Sequence, residues 1–295
     1  MIDRREFLKS TAGTLAAASV ARAASSSTST TTTNTPAAGW RKAFMLGQTE
    51  GPILPTFQKL KEAGFDGVEL ISPNKLDMDE VLKARDATGI VIHGVSGGVH
   101  WGKPLSHPDP KVVEEGLAAI RQEIVDVKKY GGTTVLIVPG IVTPEVSHRQ
   151  VYERSQKAIK TLIPEAEKHG ITLAIEEVWN KFLLTAPEFA HYIDDFQSPF
   201  VKAYFDVGNV VEYGYPQEWI HELGKRIAKV HIKEYAKSKR FSYPLGEGGE
   251  IDWKSVRQAF IDIGYTGWIT AEVGGSTVDE WKDVVKRMDQ IMPAA

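Results

Sequence analysis

From Trp40 to the end of the chain, short apolar runs alternate with longer stretches in which apolar residues recur at helical spacing. The runs predict strands at 43–47, 67–71, 90–95, 134–138, 172–178, 203–207, 229–234 and 268–273. Stretches such as 112–130 and 151–169 predict amphipathic helices between them. Glycines stand at the helix-to-strand junctions, among them Gly64, Gly89, Gly131, Gly170 and Gly264, where the residue that closes a helix commonly takes positive φ. Strands alternating with helices in this way predict an α/β fold, a (β/α)8 TIM barrel over residues 40–295. A doubly wound open sheet is the competitor, but the Gly-x-Gly-x-x-Gly that would open its first helix is missing after the first strand.

Four of the runs end in a side chain able to ligate a metal: Glu176, Asp206, His231 and Glu272. Strand neighbours alternate faces. Glu176 falls with Thr172 and Ala174, opposite Leu173 and Ile175; Asp206 falls with Tyr204; His231 falls with Lys229 and Lys233; Glu272 falls with Thr270. All four therefore share the more polar, inward face, at the strand ends where barrels do their chemistry. Glu177 takes the opposite parity and stays the alternate should a bulge reverse the choice. Two Glu, one Asp and one His suit a single divalent ion: Mn²⁺ foremost, then Mg²⁺, Co²⁺ or Fe²⁺, and less specifically Zn²⁺. Such an ion acidifies a C–H beside a carbonyl. Glu176 and Glu272, from the fifth and eighth strands, would then take and return the proton, as in isomerisation or epimerisation through an enediolate.

Composition and charge exclude more than they identify. The net charge of −3 argues against nucleic acid as a partner, and the lack of cysteine rules out disulfides, zinc-thiolate sites and cysteine nucleophiles. The first residues are more telling. Arg4-Arg5 precedes Phe7-Leu8-Lys9, a weakly apolar segment follows, and Ala21-Arg22-Ala23 fits a cleavage site. Residues 1–23 resemble a twin-arginine signal peptide, which implies the twin-arginine translocase as a partner and a periplasmic or otherwise exported location. The segment is too short and alanine-rich for a stable membrane span. Residues 24–39, rich in Ser and Thr, read as a disordered linker to the catalytic barrel. The oligomeric state is not legible, since no exposed apolar face stands out.

The chain resembles the sugar phosphate isomerase/epimerase superfamily with xylose isomerase-like barrels. The residues that carry the resemblance are Ala174-Ile175-Glu176-Glu177-Val178-Trp179-Asn180, Phe205-Asp206-Val207-Gly208-Asn209, Val230-His231-Ile232-Lys233, and Gly246-Glu247-Gly248 with Ile251-Asp252-Trp253. It implies one divalent metal held by Glu176, Asp206, His231 and Glu272, with the two glutamates as the acid/base pair and a small-molecule carbohydrate as substrate. Relatives often carry His three residues after the sixth-strand Asp. Asn209 stands there instead, which departs from the endonuclease branch. Sugar phosphates are scarce outside the cytoplasm, so export favours a free sugar, an oxidised glycoside or a sugar acid.

Other residues expected at the substrate are His93, His100, Trp101, Trp179, Asn209 and Lys233. His93 is read as closing the third strand, and His100-Trp101 as lying in the loop beyond it. Lys233 shares the inward face with His231, with a salt bridge to Glu69 or Glu234 as its structural alternative. Two other readings compete with the isomerase: a lyase or hydrolase acting on 3-keto-glycosides, and an exported sugar-binding barrel without catalysis.

Overall fold

The computed structural model describes residues 39–293 except Glu50 and Tyr243. The export signal read at 1–23 and nearly all of the linker read at 24–39 lie outside the described residues.

All eight expected strands form, as β1 (Arg41–Leu46), β2 (Gly67–Ser72), β3 (Val91–Gly97), β4 (Thr134–Ile137), β5 (Thr172–Glu176), β6 (Val201–Asp206), β7 (Ile227–Ile232) and β8 (Trp268–Ala271). Each pairs in parallel with the next, and β8 returns to β1, so the sheet closes into a barrel. The helices are α1 (Ile53–Ala63), α2 (Met78–Thr88), α3 (Pro110–Tyr130), α4 (His148–Lys160), α5 (Ile163–His169), α6 (Ala186–Asp194), α7 (Pro216–Leu223), α8 (Trp253–Asp262) and α9 (Val278–Ile291). The single helix expected over 151–169 is two, α4 and α5. Pro164 lacks an N–H and its ring crowds the preceding turn, so the helix stops and restarts at that proline. Side chains set the starts of other helices: Asp77 caps α2, Asp109 caps α3, and capping boxes open α4 (Ser147 with Gln150) and α9 (Thr277 with Glu280).

Packing falls into two zones. Outward strand residues such as Val68, Leu70, Val95, Leu173, Ile175, Phe205 and Ile232 join Phe57, Leu60, Ile124, Phe189, Phe260 and Trp281 of the helices in one continuous buried cluster. Each of these side chains contributes about 1.5–3 kcal/mol by leaving water. The barrel interior is different. Glu69, His93, Tyr204, Lys229, His231 and Thr270 are all buried, and side chains of β2, β6 and β7 meet across it, with the Tyr204 hydroxyl donating to Glu69 at 2.5 Å. An interior of hydrogen-bonded polar groups costs stability compared with the aliphatic filling usual in such barrels. No helix among the described residues is long and apolar enough to cross a membrane.

Two register shifts matter for the site. His93 is an extra residue in β3 opposite the Val68–Glu69 step of β2, and Ala228 is an extra residue in β7 opposite the Ala203–Tyr204 step of β6. The second shift lies before Lys229 and brings Asp206 level with His231.

Candidate active site

The four strand-end residues converge at the C-terminal mouth of the barrel. Glu176 and Asp206 are the last residues of β5 and β6, His231 is next to last in β7, and Glu272 directly follows β8. One ligand atom from each lies within 4.8 Å of the others. His231 Nδ1 is 2.9 Å from Glu176 Oε1, 3.5 Å from Glu272 Oε2 and 4.0 Å from Asp206 Oδ2. The carboxylate of Asp206 is divided between two tasks. Its Oδ1 accepts from the backbone N–H groups of Gly208 and Asn209, at 2.7 and 2.9 Å, which pins the loop after β6; its Oδ2 faces the cluster. Gly208 is required there, because a Cβ would come within 2.6 Å of Lys233 Cγ.

Lys233 lies inside the constellation. Its Nζ is 2.9 Å from Asp206 Oδ2 and 2.6 Å from Glu272 Oε2, so its partners are two of the four residues and neither Glu69 nor Glu234. Burial works to lower its pKa, but the carboxylates of Asp206 and Glu272 outweigh it and hold the ammonium charged. Burial raises the carboxyl of Asp206 to about 6 and also raises that of Glu176. For His231, burial is opposed by Glu69 and by the bond to Glu176, and the net effect is a strongly raised pKa.

Glu177 turns away from the cluster. It is buried, and its Oε1 accepts the backbone N–H of Asp206 at 2.9 Å, so it braces β6 from behind. Burial raises its pKa well above the carboxylate range. Asn209 lines the cavity, but its amide nitrogen donates to the Glu177 carbonyl at 2.9 Å. His93 is kept out of the cavity. The third strand runs on to Gly97, past the expected end near residue 95, which leaves His93 low in the barrel, stacked on Trp268 and hydrogen-bonded to Thr270. Burial lowers its pKa well below the ordinary value.

The cavity above the cluster measures about 390 Å³. Glu176, His231, Lys233 and Glu272 line it together with His100, Trp101, Trp179 and Phe241. Trp101 is half exposed. Burial lowers the pKa of His100 to about 4, so it is neutral at ordinary pH. The Trp179 indole donates to the Asn209 carbonyl at 3.0 Å and packs on Phe241.

Two functional residues escape the strand-end pattern. Glu69, wholly buried in β2, faces His231 Nε2 at 3.2 Å and fixes the ring so that Nδ1 looks into the cluster. A hydrogen bond of this kind on the far nitrogen is what orients a metal-binding histidine. Its signal was a lone Glu inside the apolar run Gly67-Val68-Glu69-Leu70-Ile71. Glu234 accepts from the Gly246 N–H at 2.8 Å and the Trp253 indole at 2.7 Å, which anchors the long loop after β7.

The donor set fits a divalent cation. Four carboxylates (Glu69, Glu176, Asp206 and Glu272) crowd around Lys233 and His231, and a dication bound at the neutral imidazole would supply positive charge to groups already desolvated.

Known proteins give the same architecture. A family model described as "Xylose isomerase-like TIM barrel" matches residues 57–291. D-psicose 3-epimerase of Ruminiclostridium cellulolyticum is 24% identical over 257 residues, covering 80% of this chain and 85% of that protein. The structure of an L-ribulose 3-epimerase superposes with a TM-score of 0.75 at 20% identity, over 86% of this chain and 94% of the other. That of a 3-keto-D-glucoside 4-epimerase from E. coli gives 0.72 at 18% identity, over 85% and 99%. At these identities the structural likeness carries the fold.

Proposed function

The chain belongs to the xylose isomerase-like TIM barrel family, and from that premise we propose that it is a sugar epimerase or isomerase that moves one proton on carbon beside a carbonyl. Relatives that are sugar epimerases support an isomerase acting on carbohydrate. The observation that carries the reading is the approach of two glutamates, from strands three places apart, to one histidine nitrogen, at 2.9 and 3.5 Å. A divalent ion, Mn²⁺ foremost, held by Glu176, Asp206, His231 and Glu272 would polarise the substrate carbonyl and acidify the neighbouring C–H.

The chain's own groups do the rest. Glu176, tied to His231, and Glu272, a third exposed to the cavity, act as the pair that removes and returns the proton through an enediolate. Lys233 holds the Glu272 carboxylate in place and faces the negative charge that develops on the substrate oxygen. Asp206 takes no part in proton transfer, because one of its oxygens is committed to the loop backbone. Trp101 and Trp179 offer apolar faces to the sugar ring, and His100 a neutral imidazole to a hydroxyl. We further propose that residues 1–23 direct export by the twin-arginine pathway; a fusion of this segment to a reporter should reach the periplasm only while Arg4-Arg5 is intact.

The test is solvent exchange. The full chain loaded with Mn²⁺ should incorporate deuterium from D₂O into a ketose or keto-sugar at the carbon next to the carbonyl, and chelation should stop it. Glu176→Gln and Glu272→Gln should each slow exchange by about 10²–10⁴-fold. A panel of such sugars showing neither exchange nor isomer would refute the proposal. Sugar binding that survives both substitutions, without turnover in the unaltered protein, would leave a binding barrel instead.

A further inference from the structure

A second cavity, about 510 Å³, opens beside the first and shares Phe241 with it. The Phe241 ring lies 4.8 Å from Lys233 Nζ, at the edge of the cluster, and the new cavity occupies the region beyond. Its wall begins with Val273 and Gly274, the two residues after Glu272, and continues to Asp283 and Arg287 on α9. Any group attached to a sugar seated over the cluster has this space to enter.

The loop after the last strand is where barrels of this topology often hold phosphate, using free backbone N–H groups at a helix start and a basic side chain. Here three of those donors and the basic side chain are already engaged. Glu280 Oε2 accepts the N–H groups of Ser276 and Thr277 at 2.8 and 3.0 Å, and Thr277 Oγ1 accepts that of Glu280. The one cation among the described residues of the wall, Arg287, is paired at 2.6 Å with both Asp283 and Glu247. Glu280 and Asp283 themselves line the cavity, so a phosphoryl group would meet carboxylates. In the first cavity, Lys233 is committed to Asp206 and Glu272. The basic residues of the long loop, Lys237, Lys239 and Arg240, line neither space, and Arg240 stacks over Trp179.

What remains is suited to a neutral, hydroxylated group: an aromatic face in Phe241, the apolar Leu245 and Val273, and carboxylate acceptors for hydroxyls. We propose that the substrate is an unphosphorylated keto-glycoside, its keto-sugar over the cluster and its second sugar in the cavity bounded by Phe241 and the loop between β8 and α9. The placement of the keto-sugar rests on the epimerase reading above; the subsite itself does not.

Calorimetric titration of the metal-loaded full chain tests it with three ligands: a free keto-hexose, its phosphate ester, and a disaccharide whose reducing-terminal or glycosyl unit is the same keto-hexose. The disaccharide should bind at least tenfold more tightly than the free sugar, and the phosphate ester more weakly than either. The ratio of disaccharide to free-sugar affinity should fall at least fivefold in Phe241→Ala and, separately, in Asp283→Ala. A phosphate ester that binds best, or a disaccharide no better than the free sugar, would overturn the proposal in the unaltered protein, whatever the variants do. If the disaccharide advantage appears and depends on Phe241 while no proton exchange occurs on any ligand, the epimerase reading fails and the subsite stands.

Discussion

Glu69→Gln is the sharpest probe of how the cluster is held. The side chain is wholly buried, receives the Tyr204 hydroxyl at 2.5 Å and faces His231 Nε2 at 3.2 Å. Glutamine keeps the volume and one carbonyl acceptor but removes the charge. Hydrogen bonds to a charged group contribute about 1.5–3 kcal/mol and neutral ones about 0.5–1.5, so the loss should be about 1–2 kcal/mol. That corresponds to a binding constant weaker by about 5- to 30-fold. Titration of Mn²⁺ into chelator-stripped Glu69→Gln should show this loss, with a small change in thermal midpoint. Glu69→Ala should weaken the metal further and also destabilise the fold, since the Tyr204 hydroxyl and His231 Nε2 would each lose the Glu69 carboxylate while buried, at about 1–3 kcal/mol each. If Glu69→Gln binds Mn²⁺ as the unaltered chain does, within twofold, Glu69 only fills space and the argument for an oriented histidine is wrong.

Gly208→Ala should cost about 1–3 kcal/mol and reduce deuterium exchange together, because the new methyl would push Lys233 off its two carboxylates; urea unfolding and the exchange assay report the two effects. Glu123 is buried on α3 with neither oxygen hydrogen-bonded, and burial raises its pKa well above the carboxylate range. The unfolded chain ionises it near pH 4.3 while the folded chain keeps it protonated, so stability falls as pH rises from there towards the folded pKa, by up to about 1.4 kcal/mol per pH unit. Glu123→Leu should flatten that decline in urea unfolding above the ordinary carboxylate range, and an unchanged slope would count against it. Ser147→Ala removes the capping box of α4 and should cost about 1 kcal/mol, seen as a lower thermal midpoint without loss of metal affinity.

The barrel was legible because each strand announces itself as a short apolar run, and Glu176, Asp206, His231 and Glu272 stood out because each interrupts such a run at its end. Parity separated Glu176 from Glu177, and in the structure only Glu176 enters the cluster. Where side-chain pattern was the wrong variable, reading failed. The third strand, expected to end at residue 95, continues through Ser96 and Gly97, paired with Ile71 and Ser72, because backbone hydrogen bonding to β2 needs no apolar side chain. That misplaced end is what lifted His93 towards the substrate. Glu69 was hidden for a related reason: a single charge in mid-strand gives no sign that it will find its partners on β6 and β7, far away in sequence. The break between α4 and α5 was readable from Pro164, since a proline inside a helical period should have divided it.

Closure of the sheet has a consequence for when the cluster comes into being. β1 is completed only by β8, and Glu272 is the residue that follows it. The histidine is steered by β2, near the start of the barrel, and the fourth donor arrives with its last strand. A polypeptide that stops short of β8 therefore has neither closure nor a complete cluster, and the residue that completes the cluster is laid down together with the strand that shuts the barrel.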